Sequence, residues 1–140
     1  VANTIQIVTA FEAAMETALS IDVIMGLPEV GRVPMTYPLG AVLFDTDDYG
    51  TTGLGQQRKT IGAEQPRKNT LIADLYLFAS NEFNLFTLVD SLRTVKAAAT
   101  GFHVDSTPVT VRFGPTQRTQ VFESDKIIEN TVKTTVTFSW

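Results

Sequence analysis

Apolar positions in the first twenty residues recur every three or four places. Ile5, Val8, Glu12, Met15 and Leu19 step along one line, and Phe11, Ala14 and Ala18 widen it. That is the spacing of one helical face, and it predicts a helix over 4–20 with Asn3 or Thr4 capping its start. Glu12 interrupts the apolar line, which moves the centre of the stripe towards Phe11 and Met15. Gly26, Pro28, Gly31 and Pro34 then break any period over 21–36. Proline removes a donor and glycine costs backbone entropy, so this stretch reads as irregular.

From Tyr37 to Phe44 the chain is apolar and partly β-branched. It predicts a strand starting near Pro38, where a missing N–H is tolerated. Leu71, Ala73, Leu75, Leu77 and Ala79 fall on one face of a second strand, and Ile72, Asp74, Tyr76 and Phe78 on the other. Both faces are largely apolar, the pattern of a central strand covered on two sides. A helix on one side and a neighbouring subunit on the other satisfy it, so Ile72, Asp74, Tyr76 and Phe78 are the candidate oligomer face.

Ser80 or Asn81 caps a second helix over 82–99, with Glu82 in its first turn and Gly101 as a stop. Leu85, Leu88, Leu92 and Val95, with Val89, form its buried stripe. Val109, Val111 and Phe113 then alternate, Gly114-Pro115 reads as a turn, and a short strand surrounds Thr119, Val121 and Glu123. Ser124-Asp125 reads as a further turn. The cleanest alternation closes the sequence, with Val132, Thr134, Val136, Phe138 and Trp140 facing one way. The predicted order is α-β-(arm)-β-α-β-β-β. It implies an α+β fold, a mostly antiparallel β-sheet with two helices packed on one face.

Residues 45–70 break this regularity. Asp45, Asp47 and Asp48 open the segment, four glycines loosen it, and Arg58, Lys59, Arg67 and Lys68 make its far end basic. A polar insertion this long inside a compact domain suits a long two-stranded arm as well as a plain loop. The basic group reads either as facing DNA in a pore or a carboxylate-rich neighbour, or as a solvated arm. Ordering such a segment takes contacts that offset its conformational entropy.

Composition narrows the chemistry. The 140 residues are 44% hydrophobic and 19% charged, enough for one domain, 1–140, with a real core. A net charge of −4 argues against a coat for nucleic acid. With no cysteine there is no disulfide or thiolate, and with one histidine no multi-histidine metal site within a chain. No apolar run approaches the ~20 residues that span a bilayer. Val1-Ala2-Asn3-Thr4 lacks the basic start of a secretory signal. The expectation is a protein of the cytoplasm that makes no membrane contact.

Two loop motifs fail on inspection. Asp45-Thr46-Asp47-Asp48-Tyr49-Gly50 opens like a calcium loop, but Tyr49 and Gln56 stand where oxygen ligands are needed. Gly53-Leu54-Gly55-Gln56-Gln57-Arg58-Lys59-Thr60 approximates a phosphate loop, but Arg58 replaces the glycine before the lysine. His103 has neither nucleophile nor orienting partner in sequence, and Asp74 with Glu82 is a pair that any β-α unit offers. No catalytic residue, cofactor or metal is expected.

The chain order carries a family resemblance. An amphipathic helix leads through Gly-Pro-rich coil to Val33-Pro34-Met35-Thr36-Tyr37-Pro38-Leu39-Gly40-Ala41-Val42-Leu43-Phe44. A polar insertion follows, then Leu71-Ile72-Ala73-Asp74-Leu75-Tyr76-Leu77-Phe78, a helix, and a closing strand Thr135-Val136-Thr137-Phe138-Ser139-Trp140. This resembles the tail terminator (tail completion) proteins of long-tailed bacteriophages. The resemblance implies a non-enzymatic virion protein, assembled in the host cytoplasm. It implies a homo-oligomeric, hexameric ring that caps the tail tube protein and joins it to a head connector or neck protein. DNA would pass close to its lumen, and Arg58, Lys59, Arg67 and Lys68 would face that pore or an interface. The alternatives are another phage neck or tail-tube protein, or a small α+β enzyme or ligand-binding domain with a pocket between sheet and helices.

Overall fold

A computed structural model describes residues 3–26, 37–51, 67–98, 101–123 and 126–140. The first helix, α1 (Thr4–Leu19), begins where expected. Asn3 Oδ1 accepts the Gln6 N–H at 2.9 Å while Gln6 Oε1 accepts the Asn3 N–H at 2.9 Å, a reciprocal cap. Its buried line is Ile7, Phe11, Met15 and Leu19, spaced by four. The helix is therefore rotated from the predicted stripe: Ile5 is 55% exposed and Ala14 and Ala18 face solvent. The displaced centre at Phe11 and Met15 is observed.

The irregular reading of 21–36 needs correction in its first part. Asp22–Met25 forms a short strand, β1, running parallel to β2 (Leu39–Thr51). Val23 and Ile21 are buried, and the Val23 N–H donates to Glu16 Oε1 at 3.2 Å from α1. Four residues were too few to register as a period beside two prolines and two glycines. The rest of that stretch, 27–36, lies outside the described residues.

β2 pairs antiparallel with β3 (Arg67–Phe78) from Leu39↔Phe78 out to Thr51↔Arg67, with a bulge between Phe44 and Thr46. The predicted insertion thus begins and ends as a two-stranded ribbon; 52–66 lies outside the described residues. Asn81 Oδ1 accepts the Asn84 N–H at 2.8 Å and starts α2 (Glu82–Ala98).

Three strands follow, of which the closing one falls where expected and the first two are divided differently from the prediction. β4 (Gly101–Val104) hairpins onto β5 (Thr107–Glu123) through Asp105 and Ser106, both at positive φ, as a tight two-residue hairpin requires. Gly114-Pro115 is no turn. β5 continues through it as a bulge, with the register slipping between Phe113 and Thr116 against β6 (Lys126–Ser139). Proline cannot donate to a ladder, and here the bulge takes it out of the pairing. Ser124-Asp125 lies outside the described residues, although β5 and β6 pair on either side of it at Glu123↔Lys126.

The sheet order is β1-β2-β3-β6-β5-β4, antiparallel except for β1. β3 is central, as its two-sided apolar pattern predicted. Leu71, Ala73, Leu75 and Leu77 from β3, with Val132, Val136 and Phe138 from β6, join the buried faces of both helices in one core. The α+β class with two helices on one sheet face is therefore observed. Phe11 is its hub, edge-on to Phe138 at 5.0 Å and 6.2 Å from Phe113.

Two ribbons leave this body. The β2–β3 ladder runs on to Thr51↔Arg67, beyond the last β3–β6 pair at Thr70↔Ser139. The β5–β6 ladder runs on to Glu123↔Lys126, beyond the pair Phe78↔Thr131. Because β3 and β6 are antiparallel, the ribbons project from opposite ends of the sheet.

Candidate functional site

The face of β3 turned away from the helices is where the candidate oligomer residues fall. Directly paired residues share a face, so Phe78 lies with Leu39 and Thr131, Tyr76 with Ala41 and Lys133, Asp74 with Leu43 and Thr135, and Ile72 with Thr46 and Thr137. This surface is divided. Its β1–β3 half is apolar, carrying Ile24, Leu39, Ala41, Leu43, Tyr76 and Phe78. Its β6–β5 half carries Lys133, Thr135, Thr137, Arg112 and Gln117.

Burial corrects one member of the predicted set. Phe78 is fully buried within the chain, packed with Leu39 and Ala41, and so cannot meet a neighbour directly. Tyr76 stacks on it, with ring centroids 6.3 Å apart and planes 10° apart. Ile72, Asp74 and Tyr76 remain half-exposed. Asp74 Oδ1 accepts from Thr135 Oγ1 at 3.4 Å, a long bond that ties the carboxylate to its cross-strand neighbour.

Of the basic candidates, Arg67 and Lys68 lie at the start of β3, opposite Thr51 and Gly50 in the ribbon. Arg58 and Lys59 lie outside the described residues. His103 is exposed on β4, opposite Pro108. Glu82 pairs with Arg118 of β5, at another place from Asp74. Among the described residues no group of three or more His, Asp or Glu could hold a metal ion. No helix among them is long and apolar enough to cross a membrane.

The helix layer carries features that the sequence reading passed over. Phe83 and Phe86 stand 78% and 69% exposed on the first two turns of α2. At the other end of the layer, a cavity of about 260 Å³ opens between α1 and the sheet, lined by Thr4, Ile5, Val8, Met25, Val42, Phe44, Leu71 and Ala73. Its rim is apolar and open, with Met25 50% and Phe44 70% exposed. The signal for Phe83 and Phe86 was present: two aromatics three apart, off the stripe of Leu85, Leu88 and Leu92. The cavity depends on the rotation of α1 and on the Phe44 bulge, which no local pattern announces.

Among the described residues two charged groups are perturbed. Glu12 is raised above its ordinary 4.5 by burial first and by the Glu16 carboxylate second. Its Oε1 is buried with no hydrogen-bond partner among the described residues. Lys96 is lowered by burial; its Nζ donates to the Gly114 carbonyl at 2.7 Å and to Thr116 Oγ1 at 2.6 Å. These are separate single groups rather than an acid–base pair. No protein-family model matches this chain, and no curated protein matches it significantly.

Proposed function

We propose that this protein is a structural, non-catalytic subunit of a virus particle: a tail terminator that assembles as a homo-oligomeric ring, hexameric by resemblance. The ring would cap the last layer of a tail tube and present its other surface to a neck or head-connector protein. Its action is steric and adhesive, and DNA passes close to its lumen.

The observation that carries this reading is one-sided layering. Both helices cover one face of a six-stranded sheet. The other face is apolar over β1–β3 and half-exposed at Ile72 and Tyr76, and large apolar side chains stand out on the helix side as well. Apolar surface in both layers suits a subunit with several neighbours better than a solitary domain. The ribbon that carries Arg67 and Lys68 supports the same reading, since its pairing runs on beyond the β3–β6 ladder.

Electron microscopy and sedimentation of the purified protein test it. Rings of one defined size, which arrest growth when added to tail tubes, are the expected result. A monomer at every concentration, without effect on tubes, would reject it. A small ligand-binding domain is the second reading, favoured by the cavity near Phe44. A monomer that binds an apolar molecule there would decide for it.

A further inference from the structure

The exposed aromatic pair on α2 and the open cavity beside α1 are complementary, and neither is covered by another element among the described residues. We propose that they are the two halves of one subunit contact, in which Phe83 and Phe86 of one copy enter the Phe44 cavity of the next. This contact rests on the ring reading above and names the surfaces that build it.

Size supports the match. A cavity of roughly 150 Å³ with apolar walls accepts a benzene ring. The cavity here holds about 260 Å³, room for one phenyl ring and part of a second. Val8, Val42, Leu71 and Ala73 form its floor and walls, with Ile5, Met25 and Phe44 on its rim. Such walls offer dispersion contacts and little competing hydrogen bonding.

Area supports it too. A buried aromatic side chain removes roughly 150–250 Å² from water. At 78% and 69% exposure, Phe83 and Phe86 together hold about 300 Å² still to bury. That is over a third of the ~800 Å² that each partner buries in a stable interface, and it has the composition of an interface centre. A small ligand would fill the cavity and leave both rings in water. A second copy covers both patches with one contact.

Position makes the contact head-to-tail. The cavity lies at the Leu71 end of β3, where Leu71 pairs with Phe138. Phe83 and Phe86 lie just beyond the Phe78 end, where Glu82 of the same helix turn reaches Arg118. Seven residue steps along β3 separate those ends, about 23 Å at ~3.3 Å per residue. Two different patches so far apart suit a heterologous contact, which propagates from copy to copy and forms a ring where the rotation between copies closes.

Two surface variants test this on the full chain. Phe83→Ser with Phe86→Ser removes the inserted rings; Ile5→Glu with Phe44→Glu blocks the cavity mouth. All four positions are more than half exposed, so folding should survive, as thermal melting would verify. By analytical ultracentrifugation the wild type should be a ring, and each double variant alone a monomer at the same concentration. Their mixture should give a 1:1 dimer and nothing larger, because each then supplies one intact half. Wild-type rings with both variants still assembling would overturn this contact and leave the ring reading standing. Monomeric variants whose mixture stays monomeric would overturn it as well, as would a wild type that stops at a dimer. A wild type that is monomeric throughout would remove the ring reading itself.

Discussion

The ammonium of Lys96 donates to the Gly114 carbonyl at 2.7 Å, the same oxygen that accepts the Thr134 hydroxyl at 2.9 Å. Gly114 sits in the β5 bulge, where the register slip takes its carbonyl out of the regular ladder. A lysine from α2 and a threonine from β6 thus replace the missing ladder bonds. Losing one donor should be tolerated better than losing both, because a carbonyl has two acceptor sites and suffers most when neither is filled. Lys96→Met and Thr134→Val should each lower stability by about 1–2 kcal/mol. Together they should exceed their sum by at least ~0.5 kcal/mol in urea denaturation. Strict additivity would show that the two donors do not share this site.

Glu12 predicts a pH dependence. Its pKa is raised in the folded chain, by burial and then by Glu16, so the native state holds this proton more tightly than the unfolded chain does. The resulting stabilisation is complete below the ordinary 4.5 and is lost as pH rises through the raised value. Glu12→Gln removes the charge and keeps the shape. It should raise the melting temperature at pH 7, with the gain shrinking as pH falls through the raised value and gone below 4.5. An equal gain at pH 4 and pH 7 would assign the effect to packing instead.

Phe138 predicts a large core effect. It is fully buried between Phe11 and Phe102, with ring centroids 5.0 and 6.4 Å away. Phe138→Ala should cost about 3–5 kcal/mol, enough to threaten a domain of this size. Trp140→Ala should cost less, since that ring is only partly buried and its backbone bonds to Asn69 do not depend on the side chain. Chemical denaturation of the two variants would rank them.

Gly101 predicts a backbone effect. At φ 157° it opens β4, and a Cβ there would collide with the Val109 carbonyl oxygen of the paired strand. Gly101→Ala should destabilise by roughly 1–3 kcal/mol. Hydrogen exchange should show the loss first at the β4–β5 hairpin. A neutral effect would mean that this edge strand shifts at no measurable expense.

Tyr76→Asp tests the far face of the sheet. Tyr76 is half-buried and lies against the fully buried Phe78. If this face meets a neighbour, the variant should assemble poorly while melting within a few degrees of the wild type. Full-size rings from this variant would place the subunit contacts elsewhere.

Elements with long periods were legible in the sequence; those built by register were not. The stripe of α2, the two-sided apolar strand Leu71–Ala79 and the alternation from Val132 to Phe138 reach their predicted places, while α1 forms where expected but turned so that Ile7 rather than Ile5 is buried. β1 escaped because four residues carry almost no period and owe their strand state to β2 and to Glu16. Gly114-Pro115 has turn chemistry, yet the long pairing of β5 with β6 overrides it as a bulge. The candidate face was half legible. Alternation placed Phe78 correctly on it, but only the tertiary fold shows that Leu39 and Ala41 close over that ring.

The two ribbons that leave the sheet at opposite ends give the body a mechanical axis. Tension drawing the two ribbons apart enters through β3 at one end and β6 at the other. It crosses the β3–β6 ladder, whose pairs run from Thr70↔Ser139 to Phe78↔Thr131. Those strands would be pulled lengthwise past one another, so the ladder bears load in shear, with its rungs strained together. Force across the strands would instead unzip rungs one at a time. An axial load is therefore resisted by the strands that also carry the core residues Leu71, Leu75 and Phe138.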